Sequence, residues 1–270
     1  MKIHQTTYTV EDLLPYIDWS YFFHAWGITH KNTATDAAIQ LKAEAIETLK
    51  KSGNEYKINT LFGLFDTHVS DDDIIINDIR LPLLRQQHTR SDKPNMCLSD
   101  FINPQGDKIG LFATAIEKTS KKETNKKDPY HALLIQTLSD RLAEAAATLL
   151  HLKVRTQSEL WGYAPEEHLT IEELHREAYQ GIRPAVGYPS LPDQSIIFII
   201  DKLLGLKQIG ITLTSTGAMF PHAAVCGLML SHPAAHYFQI GKISDEQIES
   251  YSRRRGIPKE EIRKFLIKNI

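Results

Sequence analysis

The nine residues from Gly181 to Pro189, Gly-Ile-Arg-Pro-Ala-Val-Gly-Tyr-Pro, leave the backbone fewer choices than any other stretch of the chain. Pro184 fixes its own φ and steers Arg183 out of the helical region. Pro189 restrains Tyr188 toward an extended backbone, and Gly187 admits a left-handed turn. Arg183 and Tyr188 should therefore leave a stiff loop in defined directions. A guanidinium presents a planar fork of donors matched to a carboxylate or phosphate, and a tyrosine ring can cover a purine or face a cation. The same residues also describe a surface turn with a solvated arginine, and the loop alone does not choose between the two.

Around this loop the hydrophobic period changes several times. Six aromatic residues fall within the eleven from Tyr16 to Trp26, after a helix start near Thr9, and Asp18 lies between Ile17 and Trp19 among them. That carboxylate either caps a neighbouring helix or faces an amine or sulfonium beside aromatic surface. Ala38, Leu41, Ala45 and Leu49 share one helical face that Gly53 should end. Ile58 to Phe65, Asp73 to Ile79 and Lys108 to Thr114 have the β-branched content of short strands. Lys118 to Asp128 holds five lysines and no apolar repeat, the pattern of a solvated loop.

Asp128 before Pro129 forms an N-cap and first-turn pair, and apolar residues at Ile135, Leu138, Leu142, Ala145 and Leu149 predict a long helix to about Leu152. Glu144 lies on its flank, where an exposed pair with Arg141 is one explanation. Thr170 and Glu173 form a capping box, with Leu169 and Leu174 as staple, so a helix should run from there to Gly181. Glu177 would then sit in the last turn, where the helix dipole disfavours a negative charge; this local cost points either to a function for the carboxylate or to a simple salt bridge with Arg176 or Arg183. Asp193 should cap a helix ending at Gly205. Ile209 to Leu213, Ala223 to Leu230 and His236 to Ile240 read as strands, and helices should open at Ser244 and Pro258. Neither a regular βαβ order nor an all-helical one emerges. The expected fold is mixed α+β, a largely antiparallel twisted sheet with flanking helices, built as one domain over residues 1–270.

Charge and composition exclude several classes. The 31 basic and 33 acidic residues nearly cancel, which argues against nucleic acid. No run approaches the roughly 18 apolar residues of a membrane span. Met1-Lys-Ile-His-Gln lacks the apolar core of a signal peptide, so a cytoplasmic protein is expected. Cys97 and Cys226 stand in unrelated contexts, and the twelve histidines form no ligand pattern, so neither a disulfide framework nor a metal site is expected. There is no nucleophile elbow, P-loop or dinucleotide fingerprint, and no catalytic residue is assigned.

Five stretches carry a resemblance: Tyr16-Ile-Asp-Trp19, Leu142-Ala-Glu-Ala145, Trp161-Gly-Tyr-Ala-Pro165, Tyr179 to Pro189 and Ser231-His-Pro233. In this order the chain resembles the activation domain of cobalamin-dependent methionine synthase, whose RxxxGYP motif matches Arg183 to Pro189. The resemblance spans nearly the whole chain and is weakest between Thr33 and Asp128. It implies S-adenosylmethionine binding. Asp18 is similar to the family aspartate on the methionine amino group, and Arg183 to the arginine on its carboxylate. Ala185 and Tyr188 fall at motif positions lining the ligand, Glu144 and Glu177 at two acidic positions near it, and Tyr237 at the first of a tyrosine pair. Phe238 stands at the second, so one hydroxyl is missing while ring contact survives.

The resemblance further implies that the protein helps remethylate oxidised cobalamin held by a separate cobalamin-binding domain or subunit, with an electron from a flavodoxin-like donor. Modules for homocysteine and methyltetrahydrofolate have no room in 270 residues, so this chain alone should not make methionine. The start Met1-Lys-Ile favours a free-standing activator over a cloned fragment or a descendant with another role. A non-catalytic module that holds S-adenosylmethionine or a cobalamin protein for regulation or assembly is the alternative.

Overall fold

The computed structural model describes residues 2–87, 94–119 and 128–270. Among these residues eight strands follow one another as β1 (Ile3–Tyr8), β2 (Tyr56–Ser70), β3 (Asp73–Ile76), β4 (Ile79–Pro82), β5 (Asp107–Lys118), β6 (Thr212–Leu213), β7 (Met219–Phe220) and β8 (Ala224–Met229). The helices are α1 (Val10–Leu13), α2 (Trp19–Ala25), α3 (Asp36–Ser52), α4 (Pro129–Thr156), α5 (Ile171–His175), α6 (Ile197–Leu204), α7 (Asp245–Arg255) and α8 (Lys259–Phe265). Among the described residues the main sheet runs β4-β3-β2-β5-β8, and every pairing in it is antiparallel.

The fifteen-residue strand β2 organises this sheet. One of its edges pairs with β5 throughout, from Tyr56 opposite Lys118 to Thr67 opposite Asp107. Its other edge is shared: β1 takes the first half and β3 the second. Alternate side chains of β2 and β5 enter different cores. Ile58, Phe62, Phe112 and Ile116 pack with Leu138, Leu142 and Ala146 of α4, while Leu61, Phe65, Ile109 and Leu111 pack with Ile197, Ile200 and Leu204 of α6. Because both faces are covered, these antiparallel strands read as near-continuous apolar runs. A third cluster, with Ile240, Ile243, Ile248, Tyr251 and Ile262, seats α7 and α8.

The expected α+β architecture is present, with instructive local differences. Asp128, Asp193 and Ser244 each accept a hydrogen bond from a backbone N–H in the first turn that follows, as their cap chemistry requires. Helix α4 continues to Thr156. Gly53 does not stop α3 in a left-handed turn but stays right-handed and leads into a short 3-10 turn. The Asp73 to Ile79 run splits at Asn77, whose φ is +52°, into β3 and β4. Leu206–Ile209 forms a 3-10 turn, leaving Thr212–Leu213 as strand, and His236 to Ile240 forms none. The lysine-rich segment lies, from 120 to 127, outside the described residues. Among the described residues no helix is long and apolar enough to cross a membrane.

Helix α5 departs furthest from expectation. Its capping box forms, but the helix ends at His175 instead of Gly181. Glu177 N–H donates to Leu174 O at 3.1 Å and Ala178 N–H to Glu173 O at 3.0 Å, the paired bonds of a Schellman motif. Glu177 occupies the left-handed position of that motif, with φ +59°, where glycine is the usual residue.

Candidate functional site

Helix α4 presents Glu144, Thr148, His151 and Arg155 at spacings of four, three and four, a single stripe on one helical face. Opposite this stripe runs the Ile182–Val186 segment, which lies along β8. Ile182 and Leu230 exchange both backbone hydrogen bonds at 2.9 Å, Pro184 O accepts from Leu228 N–H at 3.0 Å, and Val186 N–H donates to Cys226 O at 2.9 Å. The backbones approach so closely that a Cβ on Gly227 would lie 2.2 Å from Pro184 O. Gly187 then turns the chain with φ +84°, bringing Tyr188 back toward α4.

Between these elements and the Tyr16–Asp18 turn lies a cleft of about 460 Å³. Asp18, Glu144, Glu177, Arg183, Ala185, Tyr188, Tyr237 and Phe238, all eight residues singled out from the sequence, line it. They arrive from five separated stretches, so tertiary folding alone assembles them. Asp18 caps α2, one carboxylate oxygen accepting from Ser20 N–H at 2.8 Å, and the residue also lines the cleft.

Glu144 does not pair with Arg141. It accepts from the Tyr188 hydroxyl at 2.6 Å and lies 3.5 Å from Arg183 Nη1. Arg141 instead lies over the Tyr21 ring, with its guanidinium carbon 5.6 Å from the centroid. Arg183 Nη2 donates to Thr148 Oγ1 at 3.0 Å, and its backbone N–H donates to the Tyr237 hydroxyl at 3.0 Å. The buried Nε of Arg183 has no hydrogen-bond partner among the described residues. Phe238 is held through its backbone by Ser190, and its ring also meets Phe101 at 6.3 Å between centroids.

Glu177 forms neither of the ion pairs considered for it, since Arg176 pairs with Glu172 and Arg183 with Glu144. Its side chain is exposed at the cleft rim. Even so, the surrounding protein raises its carboxyl above the usual carboxylate range through desolvation, opposed by the charge of Arg183. Burial likewise drives the Tyr237 phenol well above its ordinary value, with Tyr179 adding to the effect. Burial works against the charge on Arg183, and the surrounding Tyr179, Tyr237, Glu144 and Glu177 outweigh it, raising its pKa above the ordinary arginine value. His151, behind the cleft and fully buried, is held well below the usual histidine range by burial and then by Arg155 and Arg183.

Reading the sequence missed Tyr16, Tyr21, Arg141, Thr148, His175 and Tyr179, which also line the cleft. Thr148 had a signal, four residues after Glu144 on the same face. Tyr179 falls inside the loop stretch already singled out. The others carry no local pattern that marks them.

The cleft therefore offers three carboxylates, two guanidiniums and an aromatic wall to one bound molecule. Such a set suits a zwitterionic ligand bearing a ring. A family model for the activation domain of vitamin B12-dependent methionine synthase matches residues 9–256, and the chain belongs to that family. More particularly, it is similar to a crystal structure described as the MetH reactivation domain bound to AdoHcy. The two share a TM-score of 0.92 and 34% identity over 100% of this chain and 90% of that one.

Proposed function

We propose that the protein binds S-adenosylmethionine in this cleft and donates its methyl group to cobalamin carried by a methionine synthase cobalamin-binding domain or subunit, reactivating the oxidised cofactor. The observation that carries the reading is the convergence of Arg183, three carboxylates and the Tyr188, Tyr237 and Phe238 rings on one 460 Å³ cleft. The fork of Arg183 matches the ligand carboxylate, its two Nη atoms already lying beside Thr148 and Glu144. Asp18 and Glu177 suit the ammonium, and the aromatic faces suit the sulfonium and adenine. Ala185 contributes a small side chain where the backbone approaches the ligand.

The residues have no acid or base task, because methyl transfer is a displacement whose rate depends on holding donor and acceptor in line. Cobalamin carried by the partner, once reduced by one electron from a flavodoxin-like donor, would supply the nucleophile: a carbon–cobalt bond would form as the S–CH₃ bond breaks, its electron pair staying on sulfur as S-adenosylhomocysteine.

Calorimetric titration with S-adenosylmethionine tests the site. The parent protein should show saturable binding that Arg183→Ala weakens by about 2 kcal/mol, the scale of one charged contact. Equal binding by the variant would move the site elsewhere. Labelled methylcobalamin, formed from labelled donor, reductant and partner, separates methyl transfer from a purely regulatory binding role, which predicts binding without turnover.

A further inference from the structure

Arg183 is anchored sparsely for a residue asked to hold a ligand. Among the described residues its side chain has one hydrogen bond of normal length, to Thr148, and a longer contact with Glu144. Where the fork points therefore depends on the backbone at Arg183. The flanking Ile182 and Pro184 are tied to β8, but the Arg183 N–H is bound by a side chain, the Tyr237 hydroxyl.

Tyr237 lies in an irregular segment whose backbone is tied at the neighbouring Phe238 by Ser190 and at Ile240 by Pro189, which leaves the direction of its own hydroxyl to be set. What meets its hydroxyl is the Tyr179 hydroxyl, at 3.3 Å. Tyr179 is itself firmly set. Its ring meets His151 edge-on at 4.9 Å, and the guanidinium carbon of Arg155 lies 4.4 Å from its centroid. Arg155 is 1% exposed and donates to Glu167 at 2.6 Å, and the second oxygen of Glu167 accepts from Gln180 N–H at 2.9 Å. A continuous chain of contacts thus runs from α4 through Tyr179 and Tyr237 to Arg183.

Resting on the reading of the cleft as an S-adenosylmethionine site, we infer that Tyr179 is a positioning residue for the carboxylate clamp. Its hydroxyl sets the Tyr237 hydroxyl, which accepts from the Arg183 N–H that β8 does not bind and so steadies the root of the guanidinium. The consequence is selective: loss of the Tyr179 hydroxyl should weaken ligands that carry a carboxylate and spare those that lack one.

The experiment measures dissociation constants for S-adenosylmethionine and decarboxylated S-adenosylmethionine on the parent protein, Tyr179→Phe, Tyr237→Phe and the double variant. Tyr179→Phe keeps the ring and its packing on Arg155 and His151. It should weaken S-adenosylmethionine roughly 3- to 10-fold, one neutral hydrogen bond's worth, and leave the decarboxylated analogue unchanged. The double variant should bind no more weakly than Tyr237→Phe alone. Equal losses on both ligands, additive losses in the double variant, or no loss at all would overturn the inference while leaving the site intact. Failure of the parent protein to bind S-adenosylmethionine would remove the site reading, and this inference with it.

Discussion

Replacing Glu177 with glycine should make the protein more stable and its ligand binding weaker. Glu177 sits at φ +59° in the Schellman turn that ends α5, where a side chain costs about 1 to 2 kcal/mol relative to a residue without Cβ. Its carboxylate has no hydrogen bond or ion pair among the described residues to lose. Glycine also loosens the unfolded chain, which takes back about 0.4 to 1 kcal/mol. The net expectation is a gain of about 0.5 to 1 kcal/mol, or a rise in Tm of about 1 to 4 °C for a domain of this size. Loss of a charge-assisted contact with the ligand ammonium should at the same time weaken S-adenosylmethionine by roughly 10- to 100-fold. Thermal unfolding without ligand and calorimetry with it read the two effects separately. Glu177→Ala supplies the control, since it removes the carboxylate but keeps the left-handed strain. It should lose binding equally and stay less stable than Glu177→Gly, because both variants remove the desolvated carboxylate but only glycine removes the strain. A lower Tm for Glu177→Gly would refute the strain argument, and unchanged affinity would refute the ligand contact.

Three further outcomes follow from the same geometry. Because an ammonium favours the ionised form of Glu177, S-adenosylmethionine affinity should fall as pH drops through the raised carboxyl range of this residue. Binding there should release a proton, seen as a buffer-dependent enthalpy that Glu177→Gln abolishes. His151 is neutral in the fold because its pKa is depressed below the ordinary 6.5, so the folded state binds fewer protons than the unfolded one. Stability should be full above about pH 6.5 and fall below it, with His151 contributing up to about 1.4 kcal/mol per pH unit. If His151→Gln leaves that slope unchanged, the argument fails. Gly227→Ala should cost about 3 kcal/mol, because the Cβ would push β8 off Pro184, and urea unfolding that shows a cost below about 1 kcal/mol would mean the two backbones can separate freely.

Local chemistry made several elements readable before any fold was known. The caps Asp128, Asp193 and Ser244 act within their own turns, so the helices they start are found where their residues say. Helix α5 shows the limit of the method. Its capping box was legible, but its end was sought at Gly181, because a glutamate in a left-handed cap carries no pattern that announces it. The stretch from His236 to Ile240 has strand-like residues, yet its backbone is held by distant loops. Ile240 N–H reaches Pro189 O at 3.0 Å, and Gln86 Nε2 reaches Gln239 O at 2.7 Å. No period within five residues can encode partners fifty or more positions away.

The candidate site divides in the same way. The stiffness of the Arg183 to Pro189 loop is covalent, since proline rings and a glycine restrict or free their own backbones wherever they occur, and its sequence by itself marked Arg183 and Tyr188 as aimed side chains. Which groups they would meet was decided by the tertiary structure. The approach of this loop to Gly227 of β8, and the stripe of α4 facing it, bring Glu144 against Tyr188 and Arg183 and set Tyr179 beneath Tyr237. Hydrogen bonds and Coulomb contacts act over a few ångströms of space and take no account of distance along the chain.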